Sequence, residues 1–278
     1  MFTGRRLLIA TKHKKETVLA PLLESALGVH CFTDHRLDTD LLGTFTGEVE
    51  RTTDPLSTAR KKCEWGMELT GCDLVVASEG SFGPHPSLVF VPGNDEMVVL
   101  IDKKNNVEVI GRAVSTETNF GSSPVSSIEE LKAFARKAQF PSHALIVRES
   151  ERSIARLTKA ITSWPVLESS VSALLKKQKN AFVETDMRAL YNPSRLKVIG
   201  RAAEQLIEKL SLRCPQCECP GFSVTDTIAG LPCLLCGSAT RSALAYRYGC
   251  QRCSFQKIIE FPNEKQTEDP MYCDICNP

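Results

Sequence analysis

The sequence predicts an α/β protein: a mixed-sheet α/β domain over residues 1–210, followed by a small cysteine-rich, zinc-ribbon-like domain over residues 211–278. Three observations carry this. Apolar runs of strand length alternate with stretches of helical periodicity through the first three quarters of the chain. Strand-like runs broken by turn residues interrupt that alternation between residues 87 and 115, as an inserted meander would. Of 12 cysteines, only Cys31, Cys63 and Cys72 precede residue 214, and the rest crowd into the tail.

Composition narrows the function classes. Hydrophobic residues at 42% and charged residues at 24% are those of an ordinary soluble globular protein. A net charge of +1 gives no whole-molecule attraction to nucleic acid or to an anionic membrane. No apolar run approaches the roughly 20 residues of a membrane span, and Met1 to Ala10 is too basic for a secretory signal. The expected location is the cytoplasm, where clustered cysteines argue for metal ligation rather than disulfides. The three early cysteines read as small buried apolar residues.

Arg5 to Thr11 reads as a first strand, and Thr17 to Leu27 as a helix closed by Gly28. The turn between them, Thr11-Lys12-His13-Lys14-Lys15-Glu16, sets backbone N–H groups and a helix N-terminus beside a hydroxyl and three lysines. It reads equally as a phosphate cradle or as a solvated basic turn. Val29 to Thr33 suggests a second strand. Asp34 to Asp54 has little periodicity but carries Asp38, Asp40, Glu48, Glu50 and Asp54, with Gly43 and Gly47 as hinges. Asp54-Pro55 is an N-cap followed by proline at the first helical position, opening a helix to about Thr70.

Leu74 to Ser78 is an apolar run of buried-strand character that ends at Glu79 and a loop, Gly80 to Pro86. Ligands collect beyond the carboxyl ends of strands in open α/β sheets, which makes Glu79 and His85 candidates for chemistry. The alternative is a turn-capping glutamate and a solvated histidine. Ser87–Val91, Glu96–Asp102 and Val107–Ser115 read as strands, with turns at Pro92–Asp95 and Lys103–Asn106. A polar loop, Thr116 to Ser127, precedes an amphipathic helix with Ile128, Leu131, Phe134, Ala135 and Ala138 on one face. Ala144 to Val147 is a strand behind Pro141-Ser142-His143, and residues 165–179 suggest a helix. Ala181 to Glu184 is a strand running into the segment Thr185 to Arg195, and a helix from Pro193 to about Leu212 closes the domain. Three strand ends, Thr11–Lys15, Glu79–His85 and Asp186–Arg195, thus offer polar groups to one cleft.

The tail holds four equally spaced pairs, Cys214/Cys217, Cys233/Cys236, Cys250/Cys253 and Cys273/Cys276. A two-residue gap lets both thiolates face one ion, so two pairs complete a tetrahedral shell and four pairs imply two zinc ions. The pairs join sequentially or in an interleaved way. Interleaving, Cys214/Cys217 with Cys250/Cys253, is preferred because Arg247 to Ile259 reads as a strand hairpin able to lie against the first pair. Cys219 is a bystander. So short a tail, poor in large apolar residues, buries too little to fold alone, which makes the metal structural.

Over nearly its full length the chain resembles a bacterial family described only as a domain of unknown function. The motifs are LLIATKHKKE (7–16), DTDLLGTFTGEVER (38–51), ASEGSFGPHP (77–86), FPSHALIVR (140–148), ETDMRALYNPSR (184–195) and the cysteine tail ending in CDICNP. More remotely, the N-terminal part resembles house-cleaning enzymes of the inosine-triphosphate pyrophosphatase type. Thr11 and Lys15 match that family's phosphate loop, with His13 where the family has asparagine; Glu48 or Glu50, the helix from Asp54 and Glu79 follow its order. Of its late Ser-His-Arg motif only an arginine, Arg188, is kept.

The resemblance and the three strand ends together imply a magnesium-dependent hydrolase acting on a nucleotide phosphoanhydride. Thr11, His13, Lys15 and the loop amides would hold phosphate; Glu48, Glu50 and Glu79 would ligate Mg²⁺; Arg188 and Arg195 would offset developing charge; His85 is a further catalytic candidate. The competing expectation is a non-catalytic zinc module that binds nucleic acid or a protein. The nucleic-acid version is weakened because Arg241, Arg247, Arg252 and Lys257 are offset by Glu260, Glu264, Glu268 and Asp269.

Overall fold

The computed structural model describes residues 1–43, 53–151, 153 and 157–278. Glu48 and Glu50, expected metal ligands, lie outside the described residues. The chain divides into two compact units, residues 1–104 with 110–207, and residues 105–109 with 208–278.

The chain opens with β1 (Arg6–Ala10), α1 (Glu16–Leu27) and β2 (His30–Phe32), then α2 (Pro55–Thr70), β3 (Leu74–Pro84), β4 (Pro92–Asp102) and β5 (Val107–Ser115). The strands form a five-stranded mixed sheet in the order β2-β1-β3-β4-β5. β1 is parallel to β2 and β3, whereas β3 and β4 are antiparallel. The helix boundaries follow local chemistry. Gly28 takes the left-handed conformation (φ 65°) that lets its N–H reach the Glu24 carbonyl, and the Asp54 side chain accepts from the Ser57 N–H at 3.0 Å. α2 lies close on the sheet at Gly66, where a Cβ would sit 2.6 Å from Leu8 Cδ2. Ala59 and Cys63 of α2 pack with Leu8, Val75, Ala77 and Val99 of the strands into one buried core.

The central hairpin departs from expectation. β3 does not stop at Ser78 but continues to Pro84, in register with β4 from Leu74↔Asp102 to Pro84↔Pro92. Ser87–Val91, expected as a strand, falls outside the strands in the connection, and the expected turn Pro92–Asp95 is strand. The glycines and prolines that read as a loop occur where an antiparallel neighbour supplies the pairing, with the prolines confined to the end of the ladder.

A second, four-stranded sheet comprises β6 (Ser122–Val125), β7 (Leu145–Arg148), β8 (Leu157–Ile161) and β9 (Ala181–Thr185) in the order β6-β9-β7-β8, every neighbouring pair antiparallel. α3 (Ile128–Lys137) and α4 (Trp164–Leu175) supply Leu131, Ala135, Leu167 and Val171 to its core. β6 and β8 lacked a sequence signal; they are edge strands and need little apolar surface of their own. α5 spans Pro193–Ser211. His143 is buried, its Nε2 beside Ser194 Oγ at 2.9 Å and accepting the Ser194 N–H, so it anchors the first turn of α5.

The second unit holds a three-stranded antiparallel sheet, β10 (Ser223–Ala229), β11 (Ala243–Gly249) and β12 (Gln256–Glu260). The β11–β12 hairpin occupies the stretch where the sequence indicated one. Among the described residues no helix is long and apolar enough to cross a membrane.

Candidate functional site

β1 ends at Ala10, level with Ala77 of its parallel neighbour, so the turn after β1 meets β3 at Ser78. From the N-cap of α1, the buried Lys15 reaches back and donates to Ser78 O and Ser78 Oγ, both at 3.0 Å. Burial, reinforced by the positive charges of Arg195 and Lys62, lowers its pKa to about 7.

Successive strand residues face opposite sides, and β3 carries charge pairs on both. On one side the buried Glu79 carboxylate accepts from the Lys62 ammonium of α2. On the other, Gly80 stands opposite Glu96 of β4 and leaves the room its carboxylate occupies, since any Cβ at residue 80 would collide with it. Arg195, projecting from the first turn of α5, donates through Nε to Glu96 Oε1 at 2.6 Å and through Nη1 to Met187 O at 2.6 Å. Its guanidinium also lies over the Phe82 ring, 5.4 Å from the centroid. Arg195 and Glu96 are both fully buried. Such a pair is costly to desolvate and costlier to break, because either partner alone would be an uncompensated charge.

Around this core runs a polar rim. Lys12 bonds Asp38 at 2.7 Å and Asp40 at 3.0 Å, and His13 Nε2 lies 2.8 Å from the Asp40 carboxylate, which these contacts hold well below its usual pKa. The Thr11 hydroxyl accepts from the His13 N–H at 3.3 Å. Beyond β9 the buried Asp186 grips Arg188 through Nε at 2.9 Å and Nη2 at 2.5 Å. Arg188 also stacks on Tyr191, 4.7 Å from the ring centroid. Burial opposes its charge, but Asp186 and the nearby Tyr191 and Asp40 hold its pKa above the ordinary value.

Of the expected site residues, Lys15, Glu79 and Arg195 are thus all buried about the middle of β3, Glu79 and Arg195 on its opposite faces and Lys15 within the field of both ion pairs, with Thr11, His13 and Arg188 further out. His85 does not join them. It sits at the hairpin connection, where its Nδ1 accepts the Ser87 and Leu88 N–H groups at 3.2 and 3.1 Å, six residues along β3 from Glu79, or about 20 Å of extended chain. Sequence reasoning missed Lys62, Ser78 and Glu96 as members, and it had Asp186 only as the start of the third strand end, with no role of its own. Lys62 left a trace, a cation on the same helical face as Ala59 and Cys63. Glu96 left none, because its neighbours Asn94 and Asp95 read as a turn.

In the second unit the thiols of Cys214, Cys217, Cys250 and Cys253 form one group and those of Cys233, Cys236, Cys273 and Cys276 another, all ligand atoms of a group within 4.8 Å of one another. The grouping is the interleaved one. Sγ–Sγ separations of 3.6 Å for Cys214/Cys253 and Cys217/Cys250, and of 3.9 and 3.6 Å for Cys233/Cys276 and Cys236/Cys273, are far from disulfide lengths. They match the roughly 3.8 Å edge of a tetrahedron with metal–sulfur bonds near 2.3 Å. Each group can hold a zinc ion. Cys219 belongs to neither; it is buried, and that burial pushes its thiol up to about 11. Among the described residues these are the only groups of three or more side chains arranged to hold a metal.

The family model for a domain of unknown function (DUF6671) matches residues 62–278. The chain belongs to this family. The matched stretch begins inside α2 at Lys62 and takes in Glu79, Glu96, Arg188, Arg195 and both thiol groups; the Thr11–Lys15 turn precedes it. No curated protein matches the chain.

Proposed function

We propose that the α/β unit binds the phosphates of a nucleotide-like small molecule and hydrolyses a phosphoanhydride bond. The observation that carries this is the charge balance of the cluster. Among the described residues, Lys15 feels the charges of both the Lys62–Glu79 pair and the Arg195–Glu96 pair, so that with Lys15 protonated cations outnumber carboxylates, and Lys15 itself bonds neutral oxygens. A buried surplus cation beside a helix N-terminus favours an anion. Lys15 and the amides of the turn would hold phosphate, Arg188 would offset charge on the rim, and Glu79, oriented by Lys62, would accept a proton from attacking water. The order of these residues is that of the resemblance to inosine-triphosphate pyrophosphatases.

Of the expected magnesium set, Glu48, Glu50 and Glu79, only Glu79 lies among the described residues, where Lys62 engages it, and no step here runs through the ion. In the second unit the two thiol groups are closed all-cysteine shells, read as structural zinc sites. The test incubates the full chain with a panel of nucleoside triphosphates, with and without Mg²⁺, and follows release of phosphate and pyrophosphate. Turnover that falls at least about 100-fold in Glu79→Gln supports the reading, and turnover no greater than that of the variant ends it.

A further inference from the structure

The two thiol groups share a geometry and differ in what surrounds the sulfurs. Between the cysteines of the first stand Pro215, Gln216, Gln251 and Arg252; between those of the second stand Leu234, Leu235, Asp274 and Ile275. Leu234, Leu235 and Ile275 are 69%, 74% and 67% exposed. Met271 and Tyr272, on the short 3-10 turn leading to Cys273, are 59% exposed each. Three contacts tie the segments that carry them to one another. The Leu234 N–H donates to Glu268 O at 2.9 Å, the Asn277 amide donates to Met271 O at 2.9 Å, and the paired thiols join the two segments across the centre.

Metal ligation does not require this apolar bulk, since the first group has one proline, two glutamines and an arginine in the same places. Leaving five large apolar side chains in water forgoes roughly 25 cal/mol for every Å² exposed, so the cluster has the character of an interaction surface. Its surroundings specify the kind. In the chain segment that carries Met271 and Tyr272, Glu264, Glu268, Asp269 and Asp274 are met by only two cations, Lys265 engaged with Glu268 at 3.1 Å and Arg241 with Asp274 at 3.0 Å, which leaves a net negative charge. An acidic rim repels phosphate backbones and anionic lipid headgroups and complements a basic partner.

We propose that the second cysteine centre is a docking surface for another protein, specifically a segment whose apolar side chains are flanked by lysine or arginine. Leu234, Leu235 and Ile275 would form the apolar floor, Tyr272 the aromatic anchor, and Asp269 with Glu264 the partners of the basic flanks. This surface is independent of the hydrolase reading.

The full chain, with its metal, is used to select peptides from a random display library, with counter-selection on the Leu235→Asp, Ile275→Asp double variant. Enriched sequences are expected to place Lys or Arg around apolar residues, and a synthetic peptide of that sequence to bind the wild type at least about 10-fold more tightly than the variant, less so at high salt. Both substitutions are at exposed positions; should metal analysis show that the variant has lost its ions, Leu235→Ser with Met271→Ser replaces it. The proposal is overturned by no enrichment, by an acidic consensus, or by peptides that bind both forms equally. It is also overturned if sedimentation shows a dimer that the variant dissociates, or if the patch retains an RNA oligonucleotide or anionic vesicles instead.

Discussion

The charged cluster of the α/β unit and the thiol groups of the second unit are both polar interiors, and they are held together by opposite means. In the cluster each carboxylate has its own cation from the chain, Lys62 for Glu79 and Arg195 for Glu96, and Lys15 adds a further positive charge. The thiol groups bring four sulfurs together with no counter-charge from the chain, and only a cation can compensate four thiolates. One site is therefore held together from within the chain, whereas the other needs a cation to balance its thiolates.

Metal removal should break this comparison most sharply. A strong chelator, or Cys214→Ser with Cys250→Ser, is expected to abolish amide-exchange protection across β10, β11 and β12 while β1, β3 and β4 stay protected; metal analysis should return two ions per untreated chain. Equal loss of protection in both units would show that the cluster also depends on the metal.

Next in size is Arg195→Met, which strands the fully buried Glu96. A loss of about 3–5 kcal/mol is expected in urea unfolding, with much of it recovered when Glu96→Gln is added. A loss below about 1 kcal/mol would mean that Glu96 reaches water and the pair is not a closed unit.

Lys15 gives a smaller effect with a definite sign. Its folded-state pKa, about 7, lies below the ordinary lysine value, so between these pH values the folded chain carries the proton less often than the unfolded one. The burial penalty is thus fully present below about pH 7 and fades as pH rises toward the unfolded value. Lys15→Met should be most stabilising relative to wild type in acid, the difference shrinking by up to about 1.4 kcal/mol per pH unit above pH 7. Denaturant unfolding at several pH values checks the slope; a flat difference would show Lys15 charged throughout.

The smallest effect is expected at His85. Removing its two turn contacts with His85→Ala should cost about 1 kcal/mol and leave turnover of any substrate cleaved by the wild type unchanged. A large fall in turnover with unchanged stability would return His85 to the site.

What the sequence determined by itself is what local chemistry decides. The Asp54 cap and Pro55 set the start of α2, Gly28 and Gly71 close their helices in the left-handed conformation, and the Cys-x-x-Cys spacing defines half a metal shell within four residues. Lys15, Glu79 and Arg195 were legible as candidates because polar groups flanking apolar runs mark the places where buried strands meet solvent or ligand. Contacts distant in sequence were not legible in the α/β unit. The extension of β3 through Gly80 and Gly83 exists because β4 pairs with it, and Glu96 joins the site because that register sets it over Gly80. Lys62 finds Glu79 across a separation that no local pattern encodes, whereas the pairing of Cys214/Cys217 with Cys250/Cys253 was legible from the hairpin that carries the second pair. Only tertiary packing removed His85 from the cluster, because a strand that continues carries its end away from the residue at its middle. Charge pairing in the interior is a property of which elements are neighbours, and neighbours are chosen by burial of the apolar faces rather than by the charges themselves.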